Sequence, residues 1–197
     1  MLNLNLAIQE AMKTMSKEQK NLLLSLLQEK EKLRQYNKAK YFRAYDFQKR
    51  FYAASANHRF RFLCAANRVG KSYSEAAEVG WHLTGRYPDW WEGHKFTKPI
   101  LCWAVGITGD STRKVLQKEL FGTSVGKDAD ALGTGSLPRD CIDFNTLEKD
   151  GNKILVCQIK HHNSRGEFDG MSILEFRSTQ QGEHALMGAT VDYIWLD

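Results

Sequence analysis

The stretch Phe60-Arg61-Phe62-Leu63-Cys64-Ala65-Ala66-Asn67-Arg68-Val69-Gly70-Lys71-Ser72 decides how this chain is to be read. Its first half, Phe60–Ala66, is a short apolar run that predicts a buried strand. Its second half ends in Gly-Lys-Ser. Beyond it Ala76, Val79, Gly80 and Leu83 recur at helical spacing, and Gly85 and Pro88 mark a stop. Strand, loop and helix in that order form a phosphate cradle. A glycine lets the backbone approach the ligand, successive N–H groups converge on it, and the helix N-terminus favours negative charge. Residues Ala65, Ala66, Asn67, Arg68, Val69, Gly70, Lys71 and Ser72 are therefore the expected nucleotide-binding loop. Lys71 would reach the β- and γ-phosphates and the Ser72 hydroxyl would hold Mg²⁺. The regular G-x-x-x-x-G-K-[ST] pattern is broken at its first glycine, where Ala65 stands.

Downstream, Ile100–Thr108 predicts a strand, and Asp110 or Ser111 a cap for a helix reaching Phe121. Residues 122–138 read as a long loop. Ile154–Lys160 and Ile173–Arg177 are further strands, with a polar stretch from His161 to Gly170 between them. Gln180–Met187 is a candidate short helix. Val191–Asp197 is an apolar strand ending in a carboxylate, suited to support Mg²⁺ from a second side. Alternating strands and helices predict an α/β fold with a mostly parallel sheet flanked by helices.

Upstream, Ser16 and Gln19 form a capping-box pattern for a helix over 16–40 with a leucine stripe. Residues 1–42 are thus an expected N-terminal helical extension, and 43–197 the main domain. Residues 1–62 carry 13 Lys and Arg against 5 Asp and Glu, and 63–197 carry 15 against 18. A basic first third suits a polyanionic partner, although a solvated helix surface explains such charges equally well. No apolar stretch approaches membrane-spanning length, and the Leu/Asn alternation at the N-terminus is unlike a signal peptide. Cys64, Cys102, Cys141 and Cys157 form no C-x-x-C pair, which fits a reducing cytosol.

Other residues carry weaker signals. Arg68, inside the loop, is placed to stabilise charge on a transferring γ-phosphoryl. Tyr45 and Gln48 precede the first strand, and an aromatic face with an amide edge suits adenine. Trp90 and Trp91 read as packing beneath a loop. His161 and His162 lack ligand-spaced companions for a metal.

Taken together, these blocks resemble the large terminase subunit of tailed bacteriophages. The resemblance runs from about Tyr36 to Asp197 and rests on Ala65–Ser72, His82–Trp91, Phe176–Ser178 with Gln181-Gly182, and Gly188–Thr190 leading into Ile194–Asp197. It implies an ASCE-type P-loop ATPase domain that uses ATP and Mg²⁺. In that scheme Arg68 and Lys71 are catalytic, Tyr45 and Gln48 contact adenine, and Ser72 and Asp197 serve the metal. It also implies double-stranded DNA as partner, with a small terminase subunit, a portal protein and further large-subunit copies, in the cytoplasm of a bacterial host. Family members continue past that Asp into a water-positioning Glu and a nuclease domain. Ending at Asp197, the sheet is expected to be incomplete, with an exposed apolar edge, weak or absent hydrolysis and no nuclease activity. Two other readings stay open: another P-loop DNA translocase or helicase, and a non-catalytic DNA- or subunit-binding remnant.

Overall fold

The computed structural model of the chain describes residues 14–122, 132–182 and 186–197. It divides into two compact units, the first ending at Gln35 and the second running from Tyr36 to Asp197. The first contains helix α1, Lys17–Gln35. Its capping box forms as the sequence implies: Gln19 N–H donates to Ser16 Oγ (3.2 Å) and Ser16 N–H to Gln19 Oε1 (2.9 Å). The helix is shorter than 16–40, and none of its residues is buried.

The second unit is a five-stranded sheet with helices packed on one face. Its elements are α2 (Asp46–Ala53), α3 (Lys71–Thr84), β1 (Leu101–Gly106), a helical run α4 over 109–121, β2 (Ile142–Asp150), β3 (Lys153–His162), β4 (Phe168–Ser178) and β5 (Tyr193–Leu196). Strand order is β2-β3-β4-β1-β5. β1 pairs in parallel with β4 and β5, whereas β3 pairs antiparallel with both β2 and β4. Four strands thus run one way and β3 runs against them, which makes the sheet mixed. The hairpin β2–β3 turns at Gly151, a position with open space around it.

Several expectations need correcting. β2 lies in a stretch with no clean period-2 alternation, and its register shifts near Glu148 explain why. His161 and His162 lie within β3, not in a loop. The helical run after β1 is capped by Thr108, whose Oγ1 accepts from Ser111 N–H (3.0 Å). A π-helical turn, Arg113–Gln117, interrupts it. That turn brings the Gln117 amide onto the backbone of Ile154, donating to its carbonyl (2.7 Å) and accepting from its N–H (3.1 Å). Of the expected 180–187 helix, Gln180 and Gln181 belong to a helical turn, Thr179–Gln181; residues 183–185 lie outside the described residues, as do 123–131 of the long loop.

The largest correction concerns Phe60–Ala66. This segment has no regular secondary structure and joins no ladder among the described residues. Phe60 and Phe62 are 87% and 90% exposed, and Ile194 and Leu196 of the edge strand β5 are exposed as well. Apolar side chains of β5 therefore face solvent at this edge of the sheet.

The core lies between α3, α4 and one face of the sheet. Ala76, Val79 and Leu83 meet Leu116, Leu120 and Phe121 above Cys102, Ala104, Leu174 and Trp195. α3 is buried from Ser74 to Thr84, apart from the half-buried Glu75. It ends at Gly85, left-handed at φ 69°, against the backbone of β3. A Cβ there would stand 2.1 Å from His162 O. Gly85→Ala should accordingly cost about 3 kcal/mol or more in urea denaturation, since both strain and a backbone clash oppose it. Gly151→Ala, equally left-handed but in open space, should cost only about 1 kcal/mol.

Candidate functional site

At the carboxyl edge of the sheet the end of β5 meets the start of α3. Ser72 Oγ donates to Asp197 Oδ1 at 2.8 Å, a contact that spans 125 residues of sequence. Asp197 is held in place by its own N–H, which donates to Val105 O of β1 (3.1 Å). Gly70 caps α3 in the left-handed region (φ 85°), a conformation that disfavours any side chain and lets the loop turn tightly into the helix. Arg68 also has a positive φ, 65°, alone in this among the described non-glycine residues. Its side chain is exposed, as is that of Asn67. A left-handed Arg between two turns keeps the loop compact at some conformational cost.

Lys71 folds back over the loop that precedes it. Its Nζ donates to Ala65 O (2.8 Å) and to Ala66 O (2.9 Å). The ammonium group therefore lies over the loop mouth, with the carbonyls holding it there. Ala65 in place of glycine leaves this geometry intact, because the contact uses its carbonyl and not its side chain.

Gln48 is buried beneath the loop. Its Oε1 accepts from Tyr45 N–H (2.8 Å), closing the first turn of α2, and its Nε2 lies about 4 Å from the place a Gly70 Cβ would occupy. One end of the amide is thus committed to the helix start and the other faces the loop. The Tyr45 ring is exposed and stacks on Phe47. Sequence reasoning placed these residues near the site, and the structure brings Gln48, Gly70, Lys71, Ser72 and Asp197 into one neighbourhood.

What the sequence did not reveal is a polar stripe on the otherwise apolar helix α3. Glu75, Glu78 and His82 follow Lys71 at helical spacing on one face. Glu78, fully buried, accepts from Arg61 at both oxygens (2.8 and 3.3 Å) and lies 3.3 Å from His82 Nε2. Burial pushes Glu78 upward, but the hydrogen bond from His82 and the Arg61 guanidinium outweigh it and hold it below the usual carboxylate range. Burial drives His82 the other way and keeps it neutral. A single proton arrangement satisfies the whole chain of contacts. Phe96 N–H donates to the Tyr87 oxygen (2.8 Å), Tyr87 O–H to His82 Nδ1 (2.9 Å), and His82 Nε2–H to Glu78. Trp90 and Trp91 pack, as expected, in the aromatic cluster around Trp81 and Tyr52. His161, buried on β3, pairs through Nδ1 with Asp169 (2.6 Å). The recurrence of Glu75, Glu78 and His82 at spacings of three and four within an apolar helix was the available signal for this network.

A mixed sheet with helices, a glycine-capped loop-to-helix turn at its carboxyl edge and a strand-terminal carboxylate facing that turn define a mixed α/β domain. The chain belongs to the family of terminase large subunits, T4-like-virus type, N-terminal part, whose family model matches residues 62–197. It is 33% identical over 196 residues to the large terminase subunit of Salmonella phage P22, an alignment that takes in 93% of this chain. The chain spans 39% of that relative's length. Among solved structures, the large terminase ATPase domain of Thermus phage P74-26 matches with a TM-score of 0.48 at 14% identity. A variant of the same domain matches with a TM-score of 0.50 at 13% identity. Each comparison covers 81% of this chain and 55% of the other, and the second supports the fold.

The polar stripe generates a pH prediction. Burial, and then the neighbouring Glu78, push Glu75 up to about 8. Between the ordinary carboxylate range and that value the unfolded chain releases a proton that the folded chain retains, so this group lowers stability as pH rises. Glu75→Gln should therefore gain stability relative to the parent chain as pH climbs from 5 toward 8, measured by urea melts across the series. A constant difference across that range would sink the assignment.

Proposed function

We propose that this chain is the nucleotide-binding motor portion of a phage packaging ATPase, with Ala65–Ser72 as its triphosphate cradle. The observation that carries the reading is the 2.8 Å contact between Ser72 Oγ and Asp197 Oδ1 at the N-terminus of α3. Two oxygens on neighbouring sites of an octahedral Mg²⁺ stand roughly 3.0 Å apart when each bond is about 2.1 Å. The donor set is also right, a hydroxyl and a carboxylate, both hard oxygen ligands. Bound Mg²⁺ would offset charge on the β- and γ-phosphates.

The remaining roles follow from the chain's own groups. Backbone N–H groups of 67–72 supply donors to the phosphates. Lys71, released from the Ala65 and Ala66 carbonyls, supplies a cation to the β- and γ-phosphates. Arg68, exposed on the loop, is the cation available to the γ-phosphoryl during transfer. Gln48 and Tyr45 flank the loop on the side where a base would lie, with only the Gln48 Nε2 end facing it. Double-stranded DNA is the polymer such a motor moves. A small terminase subunit, a portal protein and further large-subunit copies are its assembly partners, in the cytoplasm of the bacterial host.

Titration with a fluorescent ATP analogue, with and without Mg²⁺, tests this reading. The parent chain should bind with Mg²⁺ dependence. Lys71→Ala should weaken binding by about tenfold or more, as expected for loss of a charge-assisted contact worth roughly 1.5–3 kcal/mol. Ser72→Ala should reduce the Mg²⁺ dependence while leaving metal-free binding unchanged. Absence of any signal in the parent chain, or indifference to Lys71→Ala, would refute the proposal.

A further inference from the structure

Away from the loop, two stretches of the second unit carry a concentration of unpaired positive charge. Lys40, Arg43, Lys49, Arg50, Lys95 and Lys98 are all exposed, and among the described residues none has a carboxylate partner. Asp46, Asp89 and Glu92 are the acidic side chains of the same stretches. The two stretches lie side by side because both pack on one aromatic cluster. Phe42 and Tyr52 meet Trp81, Tyr52 meets Trp90 and Trp91, and Tyr87 meets Trp91. His94 N–H donating to Ser55 Oγ (2.8 Å) joins them again.

Two of the lysines stand on this cluster. Lys49 Nζ lies 5.7 Å from the Trp90 ring and Lys95 Nζ 5.8 Å from the Tyr87 ring. A cation over an aromatic face gives up part of its conformational freedom, so less is lost when it meets a ligand. Free cations on a rigid aromatic base suit a ligand that is itself a regular array of anions. They suit no small ligand, since the charges are spread over a surface.

We infer that this basic face, built on α2 and the 87–98 segment over the Trp81–Trp90–Trp91 cluster, is a contact surface for the phosphate backbone of duplex DNA. The assignment rests on reading the chain as part of a DNA-packaging motor. It adds a DNA-contacting surface on that motor. Contact of this kind is independent of sequence and strongly salt-dependent, because each neutralised phosphate releases counterions. A motor that moves along any sequence requires that property.

The test uses the full chain, a fluorescein-labelled duplex of about 30 base pairs, and anisotropy titrations between about 50 and 200 mM salt. In one variant Lys49, Arg50, Lys95 and Lys98 are all changed to Gln. It should lose about tenfold or more in affinity at the lower salt, with a log–log salt slope shallower by roughly 0.9 for each contact removed. A companion variant, Lys49→Arg, Lys95→Arg and Lys98→Arg, keeps the charges and should bind as the parent does. If it binds as weakly as the Gln variant, the charge argument falls. Parent-like affinity and slope in the Gln variant overturn the proposal. So does parent chain that binds polyglutamate and ignores the duplex, because the face would then serve an acidic protein. The ATP-analogue titration run on the same variants separates the two readings. Nucleotide binding should be unchanged by the Gln substitutions. If DNA binding falls as expected in a chain that binds no nucleotide, the surface stands and the motor reading fails.

Discussion

Burial of helix α3 is the constraint on which the rest of this structure depends. From Ser74 to Thr84 the helix is enclosed, apart from half-buried Glu75, and its polar groups need partners inside the fold. Glu78 finds Arg61 and His82, His82 finds Tyr87, and Tyr87 receives Phe96 N–H. Arg61 comes from the stretch before the loop, His82 from α3 itself, and Tyr87 and Phe96 from the segment after the helix. Satisfying one buried carboxylate therefore ties the stretch before the loop and the aromatic segment after the helix to α3. Replacing a buried pair by one partner alone is costly, by about 3–5 kcal/mol, and this makes the arrangement all-or-none.

The two ends of α3 are treated in opposite ways. At the C-terminus Gly85 lets the chain pass within contact distance of β3, and the helix stops against His161 and His162. At the N-terminus Gly70 turns the loop into the helix, and Lys71 and Ser72 are hydrogen-bonded to the Ala65 and Ala66 carbonyls and to Asp197. A buried helix body with an open, donor-rich mouth suits the proposed phosphate recognition, because the donors are positioned before the ligand arrives. The contacts of Lys71 with the Ala65 and Ala66 carbonyls keep the mouth in shape meanwhile.

Much of the site was legible because it is local. Gly70-Lys71-Ser72 followed by an amphipathic helix specifies a loop-to-helix turn through short-range geometry, and the turn forms as written. The Gly85 stop is likewise a near-neighbour effect. The strand expected at Phe60–Ala66 shows the limit of such reasoning. Its apolar pattern predicts a strand, and the segment forms none among the described residues. A strand in a sheet also needs a neighbour at hydrogen-bond distance, and no periodicity within seven residues can state whether one is there.

The sequence by itself determined the α/β class, the turn at Ala65–Ser72 and the family, since these follow from local periodicity and from spaced blocks of residue identities. Tertiary structure alone decided that β3 runs against its neighbours, that a π-turn brings Gln117 onto Ile154, and that Asp197 stands beside Ser72. It also decided that Glu75, Glu78 and His82 form a polar stripe, buried at Glu78 and His82. The physical reason is common to all four. Each depends on contacts between segments far apart along the chain, where what a side chain meets is set by packing of the whole unit and not by its neighbours in sequence.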